Sequence, residues 1–477
     1  MILYRNVFYI IGVLFFVFSG LMLFPAFVDF CMAENTAWGF LIAGAFSMFL
    51  GGLLFFSCRG TGNHVVMGSR EKLLTVFIFW LTIPLLSALP YYISPFNISF
   101  IDSLFEATAA LTTSGADSIQ NLKSFSYGFV IWHAFMQLSG GICFIISCIY
   151  VFYELKTINI FSVKKVVGVE SRYVFKQIQT LLIVFLILIV VSMALMAHAG
   201  VAAIDALHYS VAALTCSGIT FDISTEIIQK IRWILIILMF VGGCSVGFIN
   251  RFVSNGISVV KNTQFIVYSA IIFVLTLAFL PYFLKIAHEG EGIFQIFGKT
   301  LMTVVSSVTA TGIYESSEVF GGFSDIILYI TNFIGGCSGS CTGGIKIFRL
   351  ITLFLILKSY FMKLSNSRTV YVPTYRGRQL DEIDTASLLG YFICYIGLAV
   401  VLSLLLSATN IELGKSFSAI LTTLNNNGPF FELHKAAPME IAVLSPFAKV
   451  ILIFSMIAGR TEYVLFFMML LKTFWRK

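Results

Sequence analysis

Thr113-Ser114-Gly115, Cys216-Ser217-Gly218, Ala310-Thr311-Gly312 and Asn426-Asn427-Gly428 constrain this chain more than any other feature. Each tripeptide closes a short amphipathic stretch and lies between two long apolar runs. The glycines are 103, 94 and 116 residues apart, so one unit occurs four times in a single chain. The stretches before them read SLFEATAALTTSG, ALHYSVAALTCSG, TLMTVVSSVTATG and SFSAILTTLNNNG, dominated by small residues, Thr and Ser. Ahead of these stretches sit Asp102, Asp205, Lys299 and Lys415. Asp102 and Asp205 suit the N-cap of a short helix, while Gly298 and Gly414 could start the other two.

The solvent for these units is lipid. Of 477 residues, 58% are hydrophobic and only 11% charged, with a mean hydropathy of +0.95. A soluble chain has about 25% charged residues. Apolar runs of the ~20 residues a membrane helix needs fall at roughly 7–28, 38–57, 73–94, 128–152, 175–199, 230–250, 265–287, 324–358, 386–408 and 442–471. The first run is too long for a signal-peptide core and reads as a retained span. After the first two, the runs pair around the four glycine segments. The fold class is therefore an all-α membrane protein: two N-terminal spans, then four helix, re-entrant pore helix, helix repeats arranged pseudo-fourfold around one pore. The expected divisions are 1–70 for the helix pair and 71–172, 173–262, 263–380 and 381–477 for the repeats.

Basic residues collect in alternate loops, such as Arg59, Arg70 and Lys72, then Lys156, Lys164 and Lys165, then Lys358, Lys363, Arg368, Arg376 and Arg378. This bias places both termini in the cytoplasm. The net charge of +7 does not indicate nucleic acid, because no soluble domain gathers the basic residues. Nine Cys lack metal or disulfide spacing, and buried thiols are the plainer reading. The six His are dispersed and no nucleophile–His–acid order appears, so the chain does not read as an enzyme.

Irregular backbone at membrane depth occurs only inside protein or beside a water-filled cavity. Glycine adopts positive φ without penalty and leaves an axis open. Carbonyls of Thr113, Ser114, Cys216, Ser217, Ala310, Thr311, Asn426 and Asn427, with Gly115, Gly218, Gly312 and Gly428, could replace a cation's hydration shell. One such loop is explained as well by a turn that packs helices; four in register are not. Asp117, Asp222, Glu226, Glu315, Glu318 and Glu432 follow the glycines and would concentrate cations, or would simply be solvated loop residues.

Two features suggest a gate. Gly335-Gly336-Cys337-Ser338-Gly339-Ser340-Cys341-Thr342-Gly343-Gly344 interrupts the second helix of the third unit, since each helical Gly costs about 1 kcal/mol relative to Ala. That run predicts a mobile break below the loops. Arg460 lies within the last apolar run, where a charge faces the interior or water; contact with the gate and a structural pairing with Glu462 both fit. Lys346 and Arg349, just past the break, either face an inner vestibule or snorkel to the interface. Gly140-Gly141 and Gly242-Gly243 could allow close helix approach or bending. A secondary transporter of an organic solute would instead have two inverted halves and coupling acids in its spans, and no acid but Glu462 lies deep in a run.

These residues resemble the Trk/Ktr/HKT superfamily of potassium transporters over nearly the whole chain. The matching segments are T-T-S-G-A at Thr112 to Ala116, T-A-T-G at Thr309 to Gly312 and N-N-N-G-P at Asn425 to Pro429. G-G-C-S-G-S-C-T-G-G-I-K at Gly335 to Lys346 and G-R-T-E at Gly459 to Glu462 also match. The two extra N-terminal spans are similar to the TrkH branch. The resemblance implies a potassium filter at the four loops, with K+ as the transported ion. It implies a gating loop formed by Gly335, Gly336, Ser338, Gly339, Ser340, Gly343, Gly344 and Lys346, with Arg460 close by. It also implies a homodimer in the cytoplasmic (inner) membrane, regulated by a cytoplasmic TrkA-like nucleotide-binding subunit. Phe430 stands where the family usually has Gly, and Cys216-Ser217 alters the second loop. In plant relatives a Ser at the first-loop glycine accompanies sodium preference; Gly115 is intact, so potassium is favoured over a sodium-permeable relative of the same fold.

Overall fold

The computed structural model describes residues 4–59, 67–119, 122–154, 170–218, 224–256, 262–286, 292–315, 330–331, 333–366, 372–375, 378–427, 441–461 and 463–475. Helices α1 (Tyr4–Cys31) and α2 (Ala37–Cys58) form the N-terminal pair. They approach closely at Gly12 and Gly51, where a Cβ on Gly51 would lie 3.0 Å from the Gly12 carbonyl oxygen.

Unit one follows with α3 (Ser69–Ser87), the short continuation α4 (Leu89–Ile93), α5 (Phe100–Leu111) and α6 (Tyr127–Glu154). Unit two contains α7 (Glu170–His198), α8 (Ala203–Thr215), α9 (Thr225–Gly242) and α10 (Val246–Asn255). Unit three contains α11 (Thr263–Ile286), α12 (Ile293–Thr309) and, after the glycine-rich break, α13 (Ile347–Ser365). A two-residue hairpin, β1 (Thr374–Tyr375) against β2 (Arg378–Gln379), precedes unit four. That unit contains α14 (Glu382–Ser407), α15 (Leu413–Leu424), α16 (Pro446–Arg460), α17 (Tyr463–Leu470) and α18 (Lys472–Trp475).

Among the described residues, seven helices are long and apolar enough to cross a membrane, or eight if a bent pair is one span. Ten apolar runs were expected, and the difference lies in the second helices of units two, three and four. The run at 230–250 bends by 103° between α9 and α10. Its cause is local: Gly242 and Gly243 end α9, and Ser245 starts α10 by accepting from the Phe248 amide at 3.1 Å. Residues 324–358 are not one helix, because the glycine run holds irregular backbone up to Lys346. The run at 442–471 divides between α16 and α17.

The short helices α5, α8, α12 and α15 have 12, 13, 17 and 12 residues. At 1.5 Å per residue they are shorter than a ~30 Å hydrocarbon core. Asp102 and Asp205 do not cap them. Ser99 caps α5, accepting from the Asp102 amide, and α8 is preceded by Ala202, so both acids sit one turn inside. There a carboxylate still meets the unpaired amides and the positive end of the helix dipole. Gly298 lies within α12, which starts after Gly292, and Gly414 is the second residue of α15.

Packing runs from each unit to the next. A Cβ on Gly141 of α6 would lie 3.2 Å from the Thr215 side chain at the end of α8. One on Gly243 would meet Thr309 of α12 at 3.2 Å. Gly344 donates to the Asn425 carbonyl at 3.0 Å, and Arg460 of unit four donates to the Thr112 carbonyl of unit one. These contacts close a cycle of four.

Candidate functional site

The four short helices end alike. The amides of Ser114, Ser217, Thr311 and Asn427 donate to the carbonyls of Ala109, Ala212, Ser306 and Thr422, at 2.9 to 3.0 Å. This six-to-one bond requires a left-handed residue just before the donor. That residue is Thr113 (φ 53°), Cys216 (φ 55°), Ala310 (φ 61°) and Asn426 (φ 46°). Two residues on, Gly115, Gly218 and Gly312 are again positive, at 62°, 77° and 77°. In these three loops positive φ on either side of one residue turns the chain off the helix end. Thr113 to Asn427 in these loops are at most 2% exposed wherever a side chain is present. Gly428 lies outside the described residues, as do Asp222, Glu318, Pro429, Phe430, Glu432 and Glu462.

Each loop rests on a glycine of the following helix. A Cβ on Gly140, Gly242 or Gly459 would run into the carbonyl oxygen of Leu111, Leu214 or Leu424, the residue four before each loop glycine. In unit three the corresponding helix is replaced by the break. There a Cβ on Gly343 would instead run into the Asn425 carbonyl of loop four.

The break is not slack. Cys337 and Cys341 donate to the carbonyls of Gly243 and Gly242, and Gly339 accepts from Val246 at 3.0 Å. Gly335 donates to Ile345, Ile347 donates to Gly336, and the Gly336 amide reaches Thr342 Oγ1 at 2.9 Å. Buried backbone groups without water must find protein partners, and glycines let the chain fold back far enough to supply them. Gln264 ties the break to the hairpin: its Oε1 accepts from the Ser338 amide, and its Nε2 donates to Tyr375 Oη, both at 3.1 Å.

Two cations complete this layer. Lys346 is 1% exposed and donates to the Thr342 carbonyl, to Thr342 Oγ1 at 3.1 Å, and to Ser340 O and Oγ at 3.4 Å. Arg460 is equally buried and bridges three segments: Thr112 O, Thr113 Oγ1 and, at 3.0 Å, Cys341 O. The Phe144 ring of α6 lies 5.0 Å from the Lys346 ammonium and 4.3 Å from the Arg460 guanidinium. Arg349 stacks over the Tyr391 ring at 3.7 Å and is 4% exposed. Neither Lys346 nor Arg349 snorkels. Arg460 therefore touches both a loop and the break, the two elements that sequence had kept apart.

At the opposite ends of the short helices, Asp102 accepts from Lys449 at 2.5 Å and from Ser118 at 2.7 Å. Burial raises its carboxyl pKa, but the hydrogen bonds from Lys449, Ser99 and Ser118 outweigh that and leave it below the usual value. Glu315, one of the acids expected either to concentrate cations together or to be solvated, pairs with Arg232 at 2.5 Å. Glu226 is exposed.

Sequence reading missed Glu106. It is fully buried in α5, where its Oε2 accepts from the amides of Ser118 and Ile119 beyond loop one. Its Oε1 lies 3.4 Å from His133, whose other ring nitrogen lies 3.3 Å from His208. Two dispersed histidines thus meet, and the i, i+4 spacing of Asp102 and Glu106 gave no signal for it. None of the nine cysteines is in a disulfide.

The family model described as TrkH, cation transport protein, matches residues 300–473. The Trk system potassium uptake protein TrkH of Vibrio parahaemolyticus is 28% identical over 99% of both chains. The protein of the same name from Escherichia coli K12 is 26% identical over 99% of this chain and all of that one. The crystal structure of the potassium transporter TrkH from Vibrio parahaemolyticus superposes with a TM-score of 0.88, at 26% identity and full coverage of both chains. The chain is similar to TrkH proteins along its whole length. It is a mostly helical, multi-pass membrane protein of the cation-transporter class, and the two N-terminal spans belong to the architecture shared with that structure.

Proposed function

We propose that this chain takes up potassium through a pore formed where the four loops meet, and that the glycine-rich break with Arg460 closes it. The observation that carries this reading is the common ending of the four short helices. A left-handed residue and a six-to-one bond recur at Thr113, Cys216, Ala310 and Asn426. Four identical turns in a closed cycle of contacts support a pseudo-fourfold ring with the repeat divisions given above. Carbonyls of residues 113–115, 216–218, 310–312 and 426–428 then stand in for the water of a bare K+.

Gating follows from the layer beneath. Arg460 and Lys346 put positive charge beside the break, and a K+ ion passing there would meet both the loop and their field. Moving the break removes the plug and the charge together. The alternation of basic loops favours a cytoplasmic-membrane location with both termini inside. The relatives named above belong to Trk systems, which favours a cytoplasmic TrkA-like nucleotide-binding partner and a homodimer with one pore per chain.

Growth of a potassium-uptake-deficient strain at low potassium tests the reading. The chain should rescue growth, and Gly115→Ser or Gly312→Ser should weaken or abolish rescue. Rescue indifferent to both changes would refute the pore assignment.

A further inference from the structure

One face of α6 backs the first two loops. It carries His133, Gln137, Gly140 with Gly141, and Phe144, at helical spacing. Gln137 is fully buried, and its Nε2 donates to the Gly218 carbonyl at 3.2 Å, 81 residues away. Since a carbonyl only accepts, this amide must present its nitrogen. Its Oε1 has no hydrogen-bond partner among the described residues, so the donated bond alone fixes the side chain's polar end.

The repeat shows how unusual this is. Gln137 lies three residues before Gly140, and Met239 and Met456 lie three before Gly242 and Gly459. Both methionines are fully buried. Met456 meets the first loop through its sulfur, which accepts from Ser114 Oγ at 2.9 Å. In unit three the break occupies this register. Of the three aligned positions, Gln137 is therefore the one that can donate to a loop carbonyl.

We propose that Gln137 is a positioning residue that sets the ion preference of the second loop by holding the Gly218 peptide. The inference rests on the reading of that loop as part of the filter. The bond fixes the Gly218 peptide plane and occupies one of two lone pairs of its oxygen. Preference among cations depends on the number and field strength of the carbonyl dipoles around the ion. A carbonyl that is held and partly engaged differs from the others in both respects. It makes the ring chemically unequal on the side of unit two.

The test uses full-length protein in proteoliposomes and compares potassium with sodium uptake at equal reconstituted amounts. Gln137→Met installs the residue that the chain itself uses at the two aligned positions, so its volume suits the site. It should change the potassium-to-sodium ratio about fivefold, the effect of one hydrogen bond of ordinary net strength. Gln137→Glu keeps the shape, removes the amide donor and should also shift the ratio. His133→Leu, one turn away and off the loop carbonyls, should lower the amount of folded protein and leave the ratio of what remains unchanged. An unchanged ratio in Gln137→Met or Gln137→Glu overturns the proposal. Loss of both variants from the membrane does so too, by making Gln137 a folding residue. Gly218→Ser separates the two readings: if it leaves the ratio unaltered the filter assignment fails, and if it alters the ratio while Gln137→Met does not, only the role of Gln137 fails.

Discussion

Thr113, Cys216 and Ala310 hold backbone angles that L-residues other than Asn rarely adopt. Such conformations cost of order 1–3 kcal/mol each and persist only where the surroundings enforce them. The enforcement is visible in the glycines beneath the loops. Gly140→Ala would drive a Cβ into the Leu111 carbonyl, and backbone at that place cannot step aside cheaply. A stability loss of about 1–3 kcal/mol is expected, read from thermal unfolding in detergent. Gly20→Ala in α1 meets nothing within 4 Å and should stabilise by about 0.5–1 kcal/mol. Asp102 provides a pH prediction. Its folded pKa lies below the ordinary 3.8, so the ionised form is favoured by folding. Its contribution is complete above the unfolded value and is lost as pH falls through the lower folded value. Wild-type and Asp102→Asn proteins should therefore converge in unfolding temperature at the acid end and separate above it.

At the scale of elements, the break between residues 335 and 346 behaves as a strap tied at several points. Gln264 joins it to Tyr375 of the hairpin, while Arg460 joins it to loop one. On the proposed gating role, loosening either tie should favour the open arrangement. Arg460→Met removes hydrogen bonds from a charged donor, worth about 1.5–3 kcal/mol each, and should raise resting cation flux by at least about tenfold in proteoliposomes. Gln264→Met cuts a neutral link and should raise it less. A flux unchanged in both variants would make the strap a fixed part of the structure. The sequence announced this element through its ten small residues, because no stable helix can form there. It did not announce the ties, since Gln264, Tyr375 and Cys341 carry no pattern that marks them as neighbours.

At the scale of the whole molecule, units hold one another through polar contacts as well as apolar packing. Arg232 of α9 pairs with Glu315 beyond loop three, both about 5% exposed, and Arg232 also donates to the Gln295 carbonyl at 3.1 Å. Arg232→Met leaves a buried carboxylate without its partner, which typically costs about 3–5 kcal/mol. The double variant Arg232→Met with Glu315→Gln should recover most of that loss, as measured by unfolding temperature. If it recovered nothing, Arg232 would act through packing against α12 rather than through charge.

The local physics of this chain was written in its sequence. Hydropathy dictated lipid-facing helices, four small-residue stretches dictated short helices with glycine turns, and a ten-residue run dictated a break. These follow from nearest-neighbour sterics and solvation, which act within a few residues. Tertiary structure decided everything that joins distant segments: the 103° bend after α9, the pairing of Glu315 with Arg232 rather than with solvent, the chain of Glu106, His133 and His208, and the seat of Arg460 between loop and break. Those partners are chosen because a polar group buried among helices must be satisfied by whichever donor the packing brings within reach. That choice is a property of the assembled fold, and no stretch of sequence contains it.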